Sequence, residues 1–230
     1  MQSVLRAVAE RFRSIPTSSG PRKPVVAVVG EIFMRDNAFC SGSLVERLEQ
    51  LGAETLMAPV TEWITYSTLR YARDSRRKGE LGGYLRSKAQ GLFADLVMTH
   101  LARGVEGVLE GAHLVHVGEM LERCEPYIHR DYDGDPALSL GAASILSARG
   151  ISGVVHLMPF TCLPGTIVSG ISGSFREDHE NLPWANIDFD GQEDTGIETR
   201  LQAFMHQAAE FARAHGLDSP LPAGTHHPPR

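Results

Sequence analysis

The residue in this chain best suited to chemistry is a cysteine at the junction of a predicted strand and a predicted helix. Cys162 follows the apolar, β-branched run Val154–Met158, which is typical of a buried strand and is ended by Pro159. Beyond Pro164 and Gly165 the apolar residues return at helical spacing. A helix N-terminus stabilises negative charge, so a thiolate is favoured at Cys162. The alternative is a buried, inert cysteine, and the tight turn predicted by the flanking Pro and Gly favours a functional role.

Two other loops carry polar side chains directly after predicted strands. One follows Val25–Val29 and contains Cys40, and the other follows Ala185–Asp188. Parallel strands place such loops at one edge of a sheet, so we expect them to form a cleft with Cys162. The predicted cleft-lining residues share this position: Glu31, Arg35, Asn37, Thr161, Asp188, Asp190 and Gln192. Their carboxylates could bind Mg²⁺ or act as acid and base, and the alternative is solvated carboxylates and helix caps.

A basic run in the middle of the chain has two interpretations. Arg73, Arg76 and Arg77 belong to a segment with helical spacing at about 61–111, interrupted near Gly79 to Gly83. The run is either a solvated helix face or a docking site for an anionic ligand or an acidic partner. The sequence leaves both interpretations open.

The order of apolar segments predicts an α/β fold. Near-continuous apolar strands that alternate with helices need cover on both faces, so we expect a Rossmann-like three-layer sandwich with a mainly parallel sheet. The helical segment 61–111 is expected to be an insertion, residues 1–24 a helix and linker, residues 25–216 the α/β domain, and 217–230 a disordered tail. The predicted strands are Val25–Val29, Thr55–Ala58, Val154–Met158 and Ala185–Asp188, with Leu114–Val117 as a candidate fifth.

Composition excludes several function classes. The chain has 230 residues, is 42% hydrophobic and carries a net charge of −6, which argues against a general nucleic-acid binder. We expect no membrane segment and a cytoplasmic protein, because no apolar run reaches a membrane span or forms a signal-peptide core. Three widely spaced cysteines are not a disulfide framework. The loop after Gly30 lacks the G-x-G-x-x-G pattern, so neither an NAD nor an ATP site is predicted.

Four segments of the chain resemble one protein family. They are Gly30-Glu-Ile-Phe-Met-Arg, Ala58-Pro-Val-Thr-Glu-Trp-Ile, Met158-Pro-Phe-Thr-Cys-Leu-Pro-Gly-Thr-Ile-Val-Ser, and Asp188-Phe-Asp-Gly-Gln-Glu-Asp-Thr followed by Thr199-Arg-Leu-Gln-Ala-Phe. They are similar to the C-terminal modules of CoA-substrate-specific activase-related proteins of the 2-hydroxyacyl-CoA dehydratase D-component and benzoyl-CoA reductase group. The resemblance spans Val25 to Ala209, and its most specific parts surround Cys162 and Asp188.

The resemblance implies an iron–sulfur function. Family members have Rossmann-like domains, bind a cluster through cysteines and accept single electrons from an ATP-hydrolysing activator, with CoA thioesters as substrates. By this resemblance Cys162 is the first candidate ligand of a 4Fe–4S cluster. Cys40 ranks second, because its loop is expected at the same edge of the sheet, and Cys124 ranks third. Family enzymes are longer and carry more cysteines in a preceding domain, so we expect a homologous N-terminal module or partner subunit to act with this chain.

Two functions are therefore carried forward from the sequence. The first is an iron–sulfur redox module of a 2-hydroxyacyl-CoA dehydratase-like lyase or a related ATP-driven reductase, in which the cluster would supply the one-electron chemistry. The second is a non-catalytic α/β scaffold or regulatory module that binds a partner subunit. Iron content distinguishes the two.

Overall fold

The computed structural model describes residues 2–16, 21–58, 60–102, 104, 116–191 and 196–218. The chain divides into two compact units. In its described part, one unit contains the helices α1 (Gln2–Arg13), α4 (Thr61–Arg77) and α5 (Leu81–Ala102). The other contains a β-sheet with its covering helices. Among the described residues, no helix combines the length and the apolar character that crossing a membrane requires.

The sheet is entirely parallel, as the sequence predicts. Its four strands are β1 (Val25–Gly30), β2 (Glu54–Met57), β3 (Gly153–Pro159) and β4 (Trp184–Phe189), in the order β2-β1-β3-β4. The chain leaves β1 toward β2 and later returns to the other side of β1 as β3. The direction of winding therefore reverses between β1 and β3. Ligands of open α/β sheets bind at the carboxyl ends of the strands beside such a reversal.

Helices cover both faces of this sheet. On one face, the core joins Val26, Val28 and Leu157 of the strands to α3 (Leu44–Gln50) and α9 (Ile197–Ala214). On the other face lie α7 (Asp135–Ala148) and α8 (Leu163–Asp178), with α6 (Val117–Arg123) packed against α7. The three-layer α/β prediction is confirmed, since each face of the apolar strands is buried by helices.

Three local predictions differ from the structure. The candidate strand Leu114–Val117 is wrong at its described end, because His116 precedes α6 and Val117 begins it; the remaining two residues lie outside the described ranges. Val117 and Met120 bury one side of a short helix, and a short apolar run fits either element. The predicted loop after β1 contains a one-turn helix, α2 (Ile32–Asp36). The residue spacing from Glu119 to Ile128 predicts one continuous helix, but α6 ends at Arg123.

The helical unit contains a hairpin. Helices α4 and α5 pack against each other and are separated at Gly79, whose φ of 74° is in the left-handed region, within the break that the sequence predicts. Gly83 on α5 lies close to Ser75 on α4: a Cβ at position 83 would stand 2.7 Å from the Ser75 hydroxyl oxygen. The two helices therefore approach closely at the closed end of the hairpin.

Candidate functional site

A strained turn places Cys162 at the carboxyl end of β3. The Phe160 amide donates to the Phe189 carbonyl on β4 at 2.9 Å, and the Cys162 amide donates back to the Pro159 carbonyl at 3.1 Å. Between them, Thr161 has a φ of 64°, which is unfavourable for a β-branched residue. Cys162 is the N-cap residue of α8, is partly exposed and makes no side-chain capping bond. Its thiol is therefore partly exposed at the sheet edge and does not cap the helix.

The loop after β1 brings Cys40 to the same edge. The Asn37 side-chain oxygen accepts a hydrogen bond from the Cys40 amide at 3.1 Å, which fixes the turn. Cys40 is partly buried against the core between the sheet and the α3–α9 layer. Further along the loop, a Cβ at Gly42 would stand 3.4 Å from the Phe189 ring. The loop therefore reaches from β1 toward the end of β4, and Cys40 and Cys162 share the carboxyl edge.

The polar residues predicted in this first loop have structural roles. The Glu31 carboxylate caps α2 by accepting a hydrogen bond from the Met34 amide at 2.8 Å. Arg35 is 5% exposed, and its guanidinium donates to the Ala58 carbonyl just beyond β2. Asn37 shapes the Cys40 turn. These side chains position the loop through hydrogen bonds to backbone groups of the protein.

The acidic loop after β4 lies beside the Cys162 turn. Met158 pairs in register with Asp188, and Pro159 with Phe189, so both loops begin at the same level of the sheet. The Asp188 carboxylate lies 3.8 Å from the guanidinium of Arg200 on α9, and both side chains are partly exposed. Asp190 is exposed, and Gln192 lies outside the described residues. The structure thus places Cys162, Asp188 and Asp190 at one edge, as predicted from the parallel topology.

Cys124 lies elsewhere. It is fully buried, and its thiol donates to the Leu121 carbonyl oxygen at 3.3 Å. Burial raises the pKa of Cys124 to about 11, and the neighbouring Glu125 carboxylate acts in the same direction. The adjacent Arg123 lines a cleft with Gly150 and Ile151, which precede β3 at the amino edge of the sheet. Cys124 is therefore a protonated core thiol near the edge opposite Cys162.

The carboxyl edge also carries a second acidic segment, whose position there the sequence reasoning did not predict. The turn 131–135 contains three aspartates and leads into α7, and Gly134 approaches the ring of Pro164 in the first turn of α8. The predicted order of helices and strands could have indicated this position. A helix that precedes a strand of a parallel sheet runs opposite to that strand, so its N-terminus belongs at the carboxyl edge. The N-termini of α7 and α8 thus meet beside Cys162.

Large apolar side chains on the two cysteine loops are also exposed. Phe39 beside Cys40 is 94% exposed. The same loops expose Phe33, Phe160 and Leu163. Exposed large apolar side chains on both loops make this edge a candidate interaction surface. Phe39 and Phe160 are visible beside the two cysteines in the sequence. Residue type alone does not predict that a Phe side chain is exposed.

A buried polar cluster lies on the α7–α8 face of the sheet. His156 on β3 is fully buried, and among the described residues neither ring nitrogen has a hydrogen-bond partner of good geometry. The neighbouring Asn186 accepts a hydrogen bond from the Trp184 indole at 2.8 Å and donates to the Ser172 hydroxyl at 3.2 Å. Burial lowers the pKa of His156 to about 4; the Asn186 amide opposes this shift and the Arg35 charge adds to it. His156 is therefore neutral at physiological pH.

The basic run belongs to the helical unit. The Nε atom of Arg73 lies 3.6 Å from a carboxylate oxygen of Asp74. Arg76 and Arg77 are exposed at the end of α4. This pattern is compatible with the solvated face and with the anion-docking interpretation. Both stay predictions.

The cysteines at the edge do not complete a metal site by themselves. Within the part of the chain that the structure describes, no three His, Cys, Asp or Glu side chains are grouped so that they could hold a metal ion. With Cys124 in the core, two thiols, Cys40 and Cys162, remain available at the carboxyl edge. A 4Fe–4S cluster takes four cysteine thiolates, so this chain would hold one only with ligands from another molecule.

Comparisons with known proteins identify no relative of this chain. No protein-family model matches the chain, and no match is found among curated proteins or among solved structures.

Proposed function

We propose that this chain is a redox module of a 2-hydroxyacyl-CoA dehydratase-like or related ATP-driven reductase system. In this proposal Cys162 is a thiolate ligand of an iron–sulfur cluster that is shared with a partner module. The observation that carries it is the partly exposed thiol of Cys162 on a strained turn at the carboxyl edge of the sheet. A bound cluster would supply single-electron transfer, and this chain would supply its position and electrostatic surroundings.

The strain at Thr161 supports a functional turn. A left-handed β-branched residue costs on the order of 1–2 kcal/mol, and such strain is concentrated at functional sites. A glycine or an asparagine would avoid most of this cost. The left-handed Thr161 and the partly exposed Cys162 thiol are consistent with a turn whose geometry serves a ligand.

The exposed apolar residues support a shared site. Cys40 and Cys162 supply two thiols, and the loops that carry them also expose Phe33, Phe39, Phe160 and Leu163. A partner module that covered these side chains would bring its own ligands to the same edge. The resemblance of the Cys162 and Asp188 segments to the C-terminal modules of the dehydratase group points to a homologous N-terminal module as that partner, and to an ATP-hydrolysing activator as the electron donor.

The test is anaerobic reconstitution of the full chain with ferrous iron, sulfide and an excess of a small thiol that can fill open ligand positions. We expect bound iron and sulfide in equal amounts with the broad visible absorption of a cluster. Cys162→Ser should lose both, and Cys40→Ser should lose most. Cys124→Ala is the matched control, since its thiol is in the core, and it should still bind iron.

Two outcomes contradict the proposal. If the wild-type chain retains no iron and sulfide under these conditions, the alternative of a non-catalytic α/β module that binds a partner subunit is favoured. A cluster that survives Cys162→Ser would exclude the assignment of Cys162. Far-UV circular dichroism of each variant shows whether a loss of iron follows from misfolding.

A further inference from the structure

The outer face of α5 exposes a row of large apolar side chains. Leu81, Leu85, Leu92 and Leu96 are each between 57% and 68% exposed, and Phe93 is 70% exposed. At 3.6 residues per turn the four leucines fall within one narrow stripe along the helix. The opposite side of α5 packs on α4 and buries Ser87. An apolar stripe of this length on a folded helix is typical of a surface that another element covers.

The stripe is symmetric about the middle of the helix. Leu81 and Leu96 are equally distant from the point between Lys88 and Ala89, and so are Leu85 and Leu92. If two such helices pair antiparallel about that point, Leu81 of each faces Leu96 of the other and Leu85 faces Leu92. A surface that matches itself under a two-fold rotation is the requirement for a closed homodimer interface.

We propose that α5 forms the two-fold interface of a homodimer, in which the α4–α5 hairpins of two copies pack antiparallel as a four-helix bundle. Short-loop hairpins with apolar outer faces assemble in this way. The occupant of the stripe is a second copy of this chain. The inference is independent of the proposed redox function, because it rests on residues of the helical unit alone.

The leucine stripe and Phe93 supply part of the surface that a dimer needs. The five exposed side chains present roughly 400 Å² of apolar surface per copy, or about 800 Å² for a pair. Specific interfaces bury about 1,200–2,000 Å² in total, so flanking residues of the hairpin must contribute the remainder. On α4, Ile64 and Tyr71 are exposed and two helical turns apart.

A charge near the two-fold axis is compatible with this arrangement. Lys88 is next to the midpoint, so two copies of it would approach each other. Its ammonium lies over the ring of Tyr84, one turn back along its own helix, at 5.9 Å from the ring centroid. A cation–π contact of this kind keeps the ammonium against its own chain.

The first test measures the mass of the full chain in solution by light scattering and sedimentation. We expect a dimer for the wild type and a monomer for the double variant Leu85→Glu/Leu92→Glu, with a dissociation constant raised at least ~100-fold because four carboxylates would be buried at the interface. Gln90→Glu on the solvated side of α5 and Phe39→Glu on the sheet unit are matched controls that should stay dimeric. A monomeric wild type, or a dimer that survives the double variant, overturns the proposal.

The second test is disulfide cross-linking, which does not depend on a disruptive variant. In a Cys40→Ser/Cys162→Ser background, Ala89→Cys should form a covalent dimer, because position 89 lies next to the axis. Leu81→Cys alone should not, since two copies of position 81 would be about 22 Å apart along an antiparallel pair. Mixing Leu81→Cys with Leu96→Cys protein should restore cross-linking. Efficient cross-linking of Leu81→Cys alone would indicate a parallel pair and exclude the arrangement.

Discussion

Gly165 and Met158 are in direct contact at the Cys162 turn: a Cβ at position 165 would stand 2.6 Å from the Met158 Cβ. Met158 is the next-to-last residue of β3, and Gly165 lies in the first turn of α8. The absence of a side chain at 165 lets the helix start directly against the strand. This close approach holds Cys162 at the sheet edge with the N-terminus of α8 beside it.

Gly165→Ala should therefore destabilise the protein. Real Cβ atoms do not approach to 2.6 Å, so α8 or the end of β3 must shift, and overpacking of this kind costs about 1–3 kcal/mol. The measurement is the free energy of unfolding in urea. Gly170→Ala on the same helix is the control, because nothing lies within 4 Å of its added Cβ, and it should stabilise by up to about 1 kcal/mol. Equal effects of the two substitutions would disprove the close-contact explanation.

Thr161→Asn should stabilise the protein by about 1 kcal/mol, because asparagine tolerates the left-handed region better than a β-branched residue does. Thr166→Asn, at an exposed position within α8, is the control and should give no gain, since both residues have similar helix propensity. Urea unfolding of both variants measures the difference. If Thr161→Asn is neutral or destabilising, the turn is not strained.

The sequence was sufficient to predict the sheet and the edge that carries the candidate site. Val25–Val29 and Val154–Met158 were recognisable as buried strands by their β-branched residues, and parallel pairing then fixed where Cys162 and Asp188 emerge. The conformation of Thr161 was not predictable, because threonine is a rare choice for positive φ. The use of Glu31 as a cap and the burial of Arg35 depend on contacts with Met34 and Ala58 that residue types alone do not specify.

The cysteines should react with maleimide in a fixed order. Cys40 and Cys162 are partly exposed and should be labelled in the native protein, whereas Cys124 should be labelled only after unfolding. Native and denatured labelling, read by peptide mass spectrometry, measures this order. Cys124 labelled as fast as Cys162 in the native state would contradict the buried position.

The raised pKa of Cys124 also predicts a loss of stability in alkali. The unfolded thiol loses its proton near pH 9, while the folded thiol keeps it until about pH 11, so the folded state binds more protons in this window. Stability should fall as the pH rises from 9 to 11. Cys124→Ala should flatten this part of the profile, and Cys40→Ala is the control that should not.

His156 should make the protein sensitive to acid. Its pKa is about 4 when folded and near 6.5 when unfolded, so between these values the unfolded state binds the additional proton. The contribution of His156 to stability is complete above pH 6.5 and is lost as the pH falls toward 4, by up to about 3 kcal/mol. His156→Leu, which removes two ring nitrogens without hydrogen-bond partners of good geometry, should be neutral or stabilising at pH 7 and should reduce the acid loss.

His206→Gln, at an exposed position of α9, is the control and should leave the acid loss unchanged. Urea unfolding at a series of pH values measures the profile, and an acid loss of equal size in His156→Leu and wild type would assign the sensitivity to other groups.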